Sequence, residues 1–93
     1  MFVYKKGTKD EVILQILKDI WSELRKAKLK HPNYPSDNLY RMAIINEEAG
    51  EATRAVLHIL EGKGTKEELE KELIQTAAMC LKFLNALKEE KGD

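Results

Sequence analysis

Three glutamates in this sequence of 93 residues are spaced so that they could bind a divalent metal ion: Glu47, Glu48 and Glu51. In a helix, spacings of three and four residues place Glu51 on one face with both of the others. Like charges so arranged destabilise a helix in water by about 0.2–0.5 kcal/mol per pair. A bound cation would remove that repulsion, and Arg54 could offset part of it. The alternative is a solvated helix face, which is common in a chain whose charged fraction is 34%.

Glu72 and Gln75, on the following helical segment, are the residues best placed to complete such a site. The two segments are separated only by a short glycine-containing joint, which predicts that they pack antiparallel. In that register Glu51 faces Glu72, and Glu48 faces Gln75. Gly50, inside the helix, would allow a neighbouring helix or a ligand to approach closely. Ligands that are all oxygen atoms favour Mg²⁺ or Mn²⁺ over zinc or copper.

Three helices are predicted to position these side chains. Two breaks interrupt a helical apolar pattern, one at Pro32 and Pro35 and the other at Gly62 and Gly64. Helix-capping side chains stand at each predicted start: Thr8 with Glu11, Ser36 or Asp37, and Thr65 with Glu68. We therefore expect helices over about residues 8–30, 37–61 and 65–90, after a tail of residues 1–7.

The apolar spacing predicts an all-α fold, a single domain over residues 1–93 built as a three-helix antiparallel bundle unit. The third helix carries two apolar stripes, which indicates contacts on two sides. A hydrophobic fraction of 43% exceeds what one small unit is expected to cover. The unit is therefore predicted to assemble into an oligomeric, four-helix-type bundle. Cys80 lies in an apolar run and is expected to be a buried, unreactive thiol.

Composition disfavours several classes of partner. Sixteen basic and sixteen acidic residues cancel, so no positive field would attract nucleic acid or an anionic membrane. The sequence contains neither an apolar stretch long enough to span a membrane nor a signal-peptide pattern. A single cysteine suits a reducing compartment, and we expect a cytoplasmic protein. Lys82 and Arg54 could contact phosphates, although solvated or charge-balancing roles fit them equally well.

Two segments resemble a known family. Ala43–Ala52, which reads AIINEEAGEA, and Glu72–Met79, which reads ELIQTAAM, are similar to the MazG-like all-α nucleoside triphosphate pyrophosphohydrolases. That family carries E-x-x-E on one helix and E-x-x-D on the next. The resemblance extends over roughly residues 21–87, and the joint between Pro32 and Pro35 is also similar to members of the family.

The resemblance implies a reaction and a set of roles. Glu48, Glu51 and Glu72, with position 75, would hold Mg²⁺ or Mn²⁺ against the phosphates of a nucleoside triphosphate. Water, polarised by the ion or by Glu47, would attack between the α and β phosphates and give a monophosphate and pyrophosphate. The resemblance also implies a dimer or a tetramer.

One residue departs from the family pattern. Gln75 stands where the family has aspartate, and its neutral carbonyl oxygen is a poorer magnesium ligand than a carboxylate. The alternative to an enzyme is therefore a non-catalytic helical oligomerisation or nucleotide-sensing module with a degenerate metal site.

Overall fold

A computed structural model describes residues 9–30 and 32–90, and these residues form three α-helices and no strand. The helices are α1 (Lys9–Lys30), α2 (Asn38–Leu60) and α3 (Lys66–Glu90). The predicted all-α, three-helix architecture is confirmed, with boundaries within one residue of those expected. Thr8 and the tail of residues 1–7 lie outside the described residues. None of the described helices is both long enough and apolar enough to span a membrane.

Side-chain caps fix the starts of α2 and α3. Asp37 has an extended backbone, and its carboxylate accepts a hydrogen bond from the amide of Leu39 at 3.1 Å. Thr65 Oγ1 accepts from the amide of Glu68 at 3.1 Å and donates to the Glu68 carboxylate at 3.1 Å. Each cap binds an amide that has no partner within the helix, so these two boundaries are determined locally.

Glycine allows the tight joint between α2 and α3. Gly62 has a φ of 76°, and the next amide, of Lys63, donates to the carbonyl of His58 at 2.8 Å. This is the hydrogen-bond pattern of a helix that ends on a left-handed residue. A Cβ at Gly64 would lie 2.8 Å from the Cβ of His58, closer than carbon atoms can pack. The chain therefore reverses within a few residues and returns α3 alongside α2.

The third helix is central to the packing. Helix α3 packs against both α1 and α2, whereas no Cα atom of α1 comes within 8 Å of one in α2. The side chains buried in the described residues are few and mostly small: Leu24, Ala52, Ala55 and Ala78 are the apolar ones. Small residues let α2 and α3 approach closely. The three helices thus form an open arrangement, with a cleft between α1 and α2 above α3.

Much of the predicted apolar pattern remains on the surface of the single chain. The radius of gyration is 15.5 Å, compared with about 12 Å for a compact domain of this length. Trp21 is 57% exposed, and large apolar side chains of all three helices are exposed with it. The expectation of a buried Cys80 is wrong for the single chain, because this thiol is exposed. The periodicity identified which apolar side chains share a face of each helix. It could not show which of these faces are covered by the chain itself.

Candidate functional site

The cleft between α1 and α2 encloses about 430 Å³, which is within the usual range for small-ligand pockets. Helix α3 forms its floor, α1 and α2 form its walls, and the joint between α1 and α2 contributes Tyr34 and Pro35. Side chains from all three helices line it: Glu23 from α1, Ile44 and Glu48 from α2, and Gln75, Met79 and Lys82 from α3. Two of the predicted site residues, Glu48 and Gln75, therefore meet in one cavity from facing helices.

Glu48 is the electrostatic centre of the acidic end of this cleft. Its side chain is half-buried, and this burial is the largest cause of the raised pKa of its carboxyl group. Neighbouring carboxylates raise the pKa further, in decreasing order of effect: Glu72, Glu47, Glu51 and Glu23. Both causes disfavour the charged form, so the ionised cluster is destabilised unless a cation joins it. We refer to these five glutamates as the Glu48 cluster.

The other predicted site residues occupy different environments. Glu72 is half-buried on α3 and is the carboxylate with the largest effect on Glu48. Glu51 is also half-buried, but one of its oxygens lies 3.2 Å from Nη1 of Arg54, which offsets part of its charge. Glu47 is exposed on α2, where bulk water can reach its carboxylate. The cluster is therefore graded in exposure, from the half-buried Glu48 to the solvated Glu47.

The donors of the Glu48 cluster suit a hard cation. Within residues 9–30 and 32–90, no three acidic, histidine or cysteine side chains already converge on one point suitable for an ion. Mg²⁺ keeps several of its waters and commonly uses only one or two carboxylates. Crowded carboxylates around Glu48, with the amide oxygen of Gln75 in the same cavity, match that requirement in chemistry and in charge.

Gly50 lies on α2 next to the cluster and was expected to accommodate a close neighbour. No helix of the described residues approaches it, because a Cβ built on Gly50 would meet no neighbouring atom within 4 Å, and the approach of a ligand stays a prediction. The surface beside Glu47 and Glu51 is therefore open.

The opposite end of the cleft is basic. Lys26 and Lys30 of α1 line it, together with Lys82 of α3, whose side chain is only 9% exposed. The Nζ atom of Lys82 lies 4.6 Å from the centre of the Tyr34 ring. Burial is the main cause of a lowered Lys82 pKa, and the positive charge of Lys28 lowers it further. The basic end is defined here as Lys26, Lys30 and Lys82.

Beyond the basic end, Arg41 ties the joint between α1 and α2 to the last turn of α3. Its side chain is 4% exposed, and Nη2 lies 2.6 Å from a carboxylate oxygen of Glu90. Arg41 also donates to the carbonyl of Pro35 at 2.7 Å and to Oδ1 of Asn38 at 3.0 Å. The hydrogen bond with Glu90 raises the pKa of Arg41 and lowers that of Glu90. These four residues, together with the Tyr34 ring 5.1 Å from the guanidinium, form the Arg41 cluster.

The motifs did not point to Glu23, Lys26, Lys30 or Arg41. Glu23 and the two lysines reach the cleft only because the second half of α1 packs on α3. Their spacing along α1 is that of any charged helix face, so no local pattern marks them.

Comparisons of the chain with protein-family models, with curated protein sequences and with solved structures found no match.

Proposed function

We propose that this protein is a metal-dependent nucleoside triphosphate pyrophosphohydrolase. It cleaves its substrate between the α and β phosphates and releases a monophosphate and pyrophosphate. The observation that carries the proposal is the environment of Glu48, a half-buried carboxylate in a ligand-sized cleft, with four further carboxylates acting on it. A divalent cation bound to phosphates is the partner that such a cluster lacks.

Different residues of the chain have different roles in the proposed reaction. Glu48, Glu51 and Glu72 offer carboxylate oxygens, and Gln75 offers a carbonyl oxygen from the floor of the cleft. A divalent ion held there would neutralise charge on the phosphates during bond cleavage. Glu47 is solvent-exposed, so its carboxylate would be accessible to accept the proton of the attacking water.

The proposal includes self-association into a dimer or a tetramer. The accessible surface of the chain is 7461 Å², about 2,000 Å² more than a compact monomer of this mass exposes. An obligate dimer buries about 2,000–5,000 Å² in total, which is the range this excess could supply from two chains. Exposed apolar residues of α1 could pack against a second copy: Val12, Ile13, Ile16, Leu17 and Trp21. We also propose the cytoplasm as its compartment, because nucleoside triphosphates and Mg²⁺ are plentiful there.

A second candidate is a non-catalytic module that oligomerises or senses nucleotides. The position of Gln75 favours it, because the residue that lines the cleft opposite Glu48 brings no negative charge. Such a module would bind nucleotides and would not hydrolyse them.

Pyrophosphate release separates the two candidates. The full chain is incubated with Mg²⁺ or Mn²⁺ and a panel of common and modified nucleoside triphosphates. We expect turnover that falls by about 100-fold or more in Glu48→Gln and in Glu51→Gln. The control Glu70→Gln alters an exposed carboxylate of α3 outside the cluster and should retain activity.

Gln75→Asp adds the charge that the family pattern contains. A gain of pyrophosphate release in this variant alone would support the sensing module with a degenerate site. Absence of turnover in every variant, together with no metal-induced rise in Tm, would refute the metal-site proposal.

A further inference from the structure

Charge is segregated along the cleft. Glu23 and Gln75 lie at the end that contains Glu48, and Lys30 and Lys82 lie at the other. On both α1 and α3 the two poles are seven residues apart, or two helical turns. The helical rise converts this spacing to about 10 Å. The cleft therefore presents an acidic pole and a basic pole to a single ligand.

Lys82 is the residue that makes the basic pole unusual. Its side chain is nine-tenths buried, yet it forms no ion pair or hydrogen bond with any described residue. Among residues 9–30 and 32–90, the Tyr34 ring is its favourable electrostatic contact, with Nζ 4.6 Å from the ring centre.

Two acidic residues lie close to this end of α3. Glu90 is held by Arg41. Glu89 lines a neighbouring cavity with Lys82 but accepts a hydrogen bond from Asn85 and forms no ion pair with Lys82. The Nζ atom of Lys82 keeps some contact with solvent, because no fully buried side-chain nitrogen in the described residues lacks a hydrogen-bond partner. Holding an ammonium group on a largely buried side chain without an anion is nevertheless unfavourable, so this site lacks a negative partner.

The lysines around Lys82 add positive charge and so make an anion at this site more favourable. Lys26 and Lys30 line the same end of the cleft, and Lys28 acts on Lys82 electrostatically. The Tyr34 ring already lies beneath the cations of Lys82 and Arg41, so it is not free to stack on a nucleotide base. An oxyanion fits this environment better than an aromatic ring does.

We propose that the basic end, Lys26, Lys30 and Lys82, binds a phosphate group, with Lys30 and Lys82 two helical turns from Glu23 and Gln75 at the acidic pole. The inference rests on the proposed function for the position of the ligand, whose other phosphates lie with the metal at the acidic pole. The distal phosphate belongs either to the sugar of the nucleotide or to the end of a longer polyphosphate chain.

Metal-free anion binding tests the proposal apart from catalysis. The full chain in a chelating buffer is titrated by calorimetry with inorganic phosphate, pyrophosphate and tripolyphosphate. We expect saturable binding that weakens by about 10-fold or more in Lys82→Met. Lys30→Met, which alters a more exposed side chain, should weaken it in the same direction, even if Lys82→Met proves unstable. The control Lys71→Met, at an exposed position of α3 outside the cleft, should bind as the unchanged protein does.

An NMR titration of the lysine side chains gives a second readout. Phosphate should raise the pKa of Lys82, because an anion offsets the cost of burial that now lowers it. Lys71 should not respond. A purely structural role for Lys82 predicts a change in Tm for Lys82→Met, with neither anion binding nor a pKa response in the unchanged protein.

Two ligand pairs identify the source of the phosphate. Tighter binding of a nucleoside 3′,5′-bisphosphate than of the 5′-monophosphate, lost in Lys82→Met, assigns the site to a phosphate on the sugar. A preference for tripolyphosphate over pyrophosphate, with the same loss, assigns it to the chain end. Absence of anion binding, or equal binding in Lys82→Met and Lys71→Met, overturns the proposal. Lysine-dependent phosphate binding without pyrophosphate release would leave this inference standing and remove the proposed hydrolysis.

Discussion

The Arg41 cluster and the Glu48 cluster both hold charged side chains at least partly away from water, with opposite electrostatic results. At Arg41 a cation meets an anion, and the hydrogen bond raises the pKa of Arg41 and lowers that of Glu90. At Glu48, carboxylates lie close to other carboxylates, and both burial and their mutual repulsion raise the pKa of Glu48. The first cluster is more stable when charged, whereas the second is less stable when charged.

This difference separates a structural role from a binding role. Arg41 joins residues far apart in the chain, because Glu90 follows it by 49 positions and Pro35 precedes α2. It holds the joint and the last turn of α3 together in an open fold that buries few apolar side chains. The Glu48 cluster contains no comparable long-range pairing, and its repulsion is the basis of the proposal that a cation binds there.

The largest effect should come from breaking the favourable cluster. Arg41→Met removes hydrogen bonds to Pro35, Asn38 and Glu90 and should lower Tm by an amount on the order of 10 °C. Thermal unfolding followed by circular dichroism measures this at a fixed protein concentration. The control Arg54→Met removes an exposed guanidinium and should shift Tm by much less. Equal shifts in the two variants would contradict a structural role for Arg41.

The pH dependence of the same ion pair gives the next largest effect. Because Arg41 lowers the pKa of Glu90 from its ordinary 4.5, the pair stabilises the fold above that value. The stabilisation is lost as the pH falls through the folded-state pKa. Glu90→Gln should therefore lower Tm at neutral pH by roughly half the Arg41→Met effect, and the two proteins should converge on acidification. A difference that is constant at every pH would show that the charge of Glu90 is irrelevant.

The sequence predicted the helices well because their signals are local. Asp37 and Thr65 cap helices through atoms two or three residues away, and Gly62 ends α2 through its own backbone angle. The pairing of Glu48 with Gln75 across the cleft was predictable for a related reason. A short joint leaves two helices little choice of register.

The remaining features depend on contacts between distant segments. Lys82 and Glu23 become part of one cleft only through the packing of α1 on α3, which no spacing rule specifies. Arg41 gave no signal, since its anionic partner lies near the other end of the chain. Trp21 belongs to an apolar stripe that the chain does not cover, and periodicity gives no information on the partner of a stripe.

A glycine beside the Glu48 cluster provides a third test, for which the expected change in stability is smaller. Gly50 lies in the interior of α2 with open space around it, so Gly50→Ala should stabilise the protein by about 1 kcal/mol. Chemical denaturation measures this change. Gly64→Ala is the matched opposite, because its Cβ would lie 3.1 Å from the backbone nitrogen of Ile59 and closer still to His58. It should destabilise by about 1–3 kcal/mol. Destabilisation by Gly50→Ala would indicate that a second copy of the chain occupies the open space.

The smallest expected effect concerns Glu48 itself and has the opposite sign to that at Arg41. Because its folded-state pKa is raised, stability is lost as the pH rises from the unfolded-state pKa through that folded-state value. Glu48→Gln should therefore raise the stability at neutral pH by about 0.5 kcal/mol, and the gain should vanish in acid. The exposed Glu70→Gln serves as control and should show no such pH-dependent gain.

Mg²⁺ should reverse the order of stability of the unchanged protein and the Glu48→Gln variant. The unchanged protein should gain stability as the ion offsets the carboxylates, whereas Glu48→Gln should gain less. A variant that is less stable than the unchanged protein in metal-free buffer at neutral pH would show that the Glu48 carboxylate supports the fold. In that case the raised pKa would no longer argue for a cation site, and the contrast with the Arg41 cluster would fail.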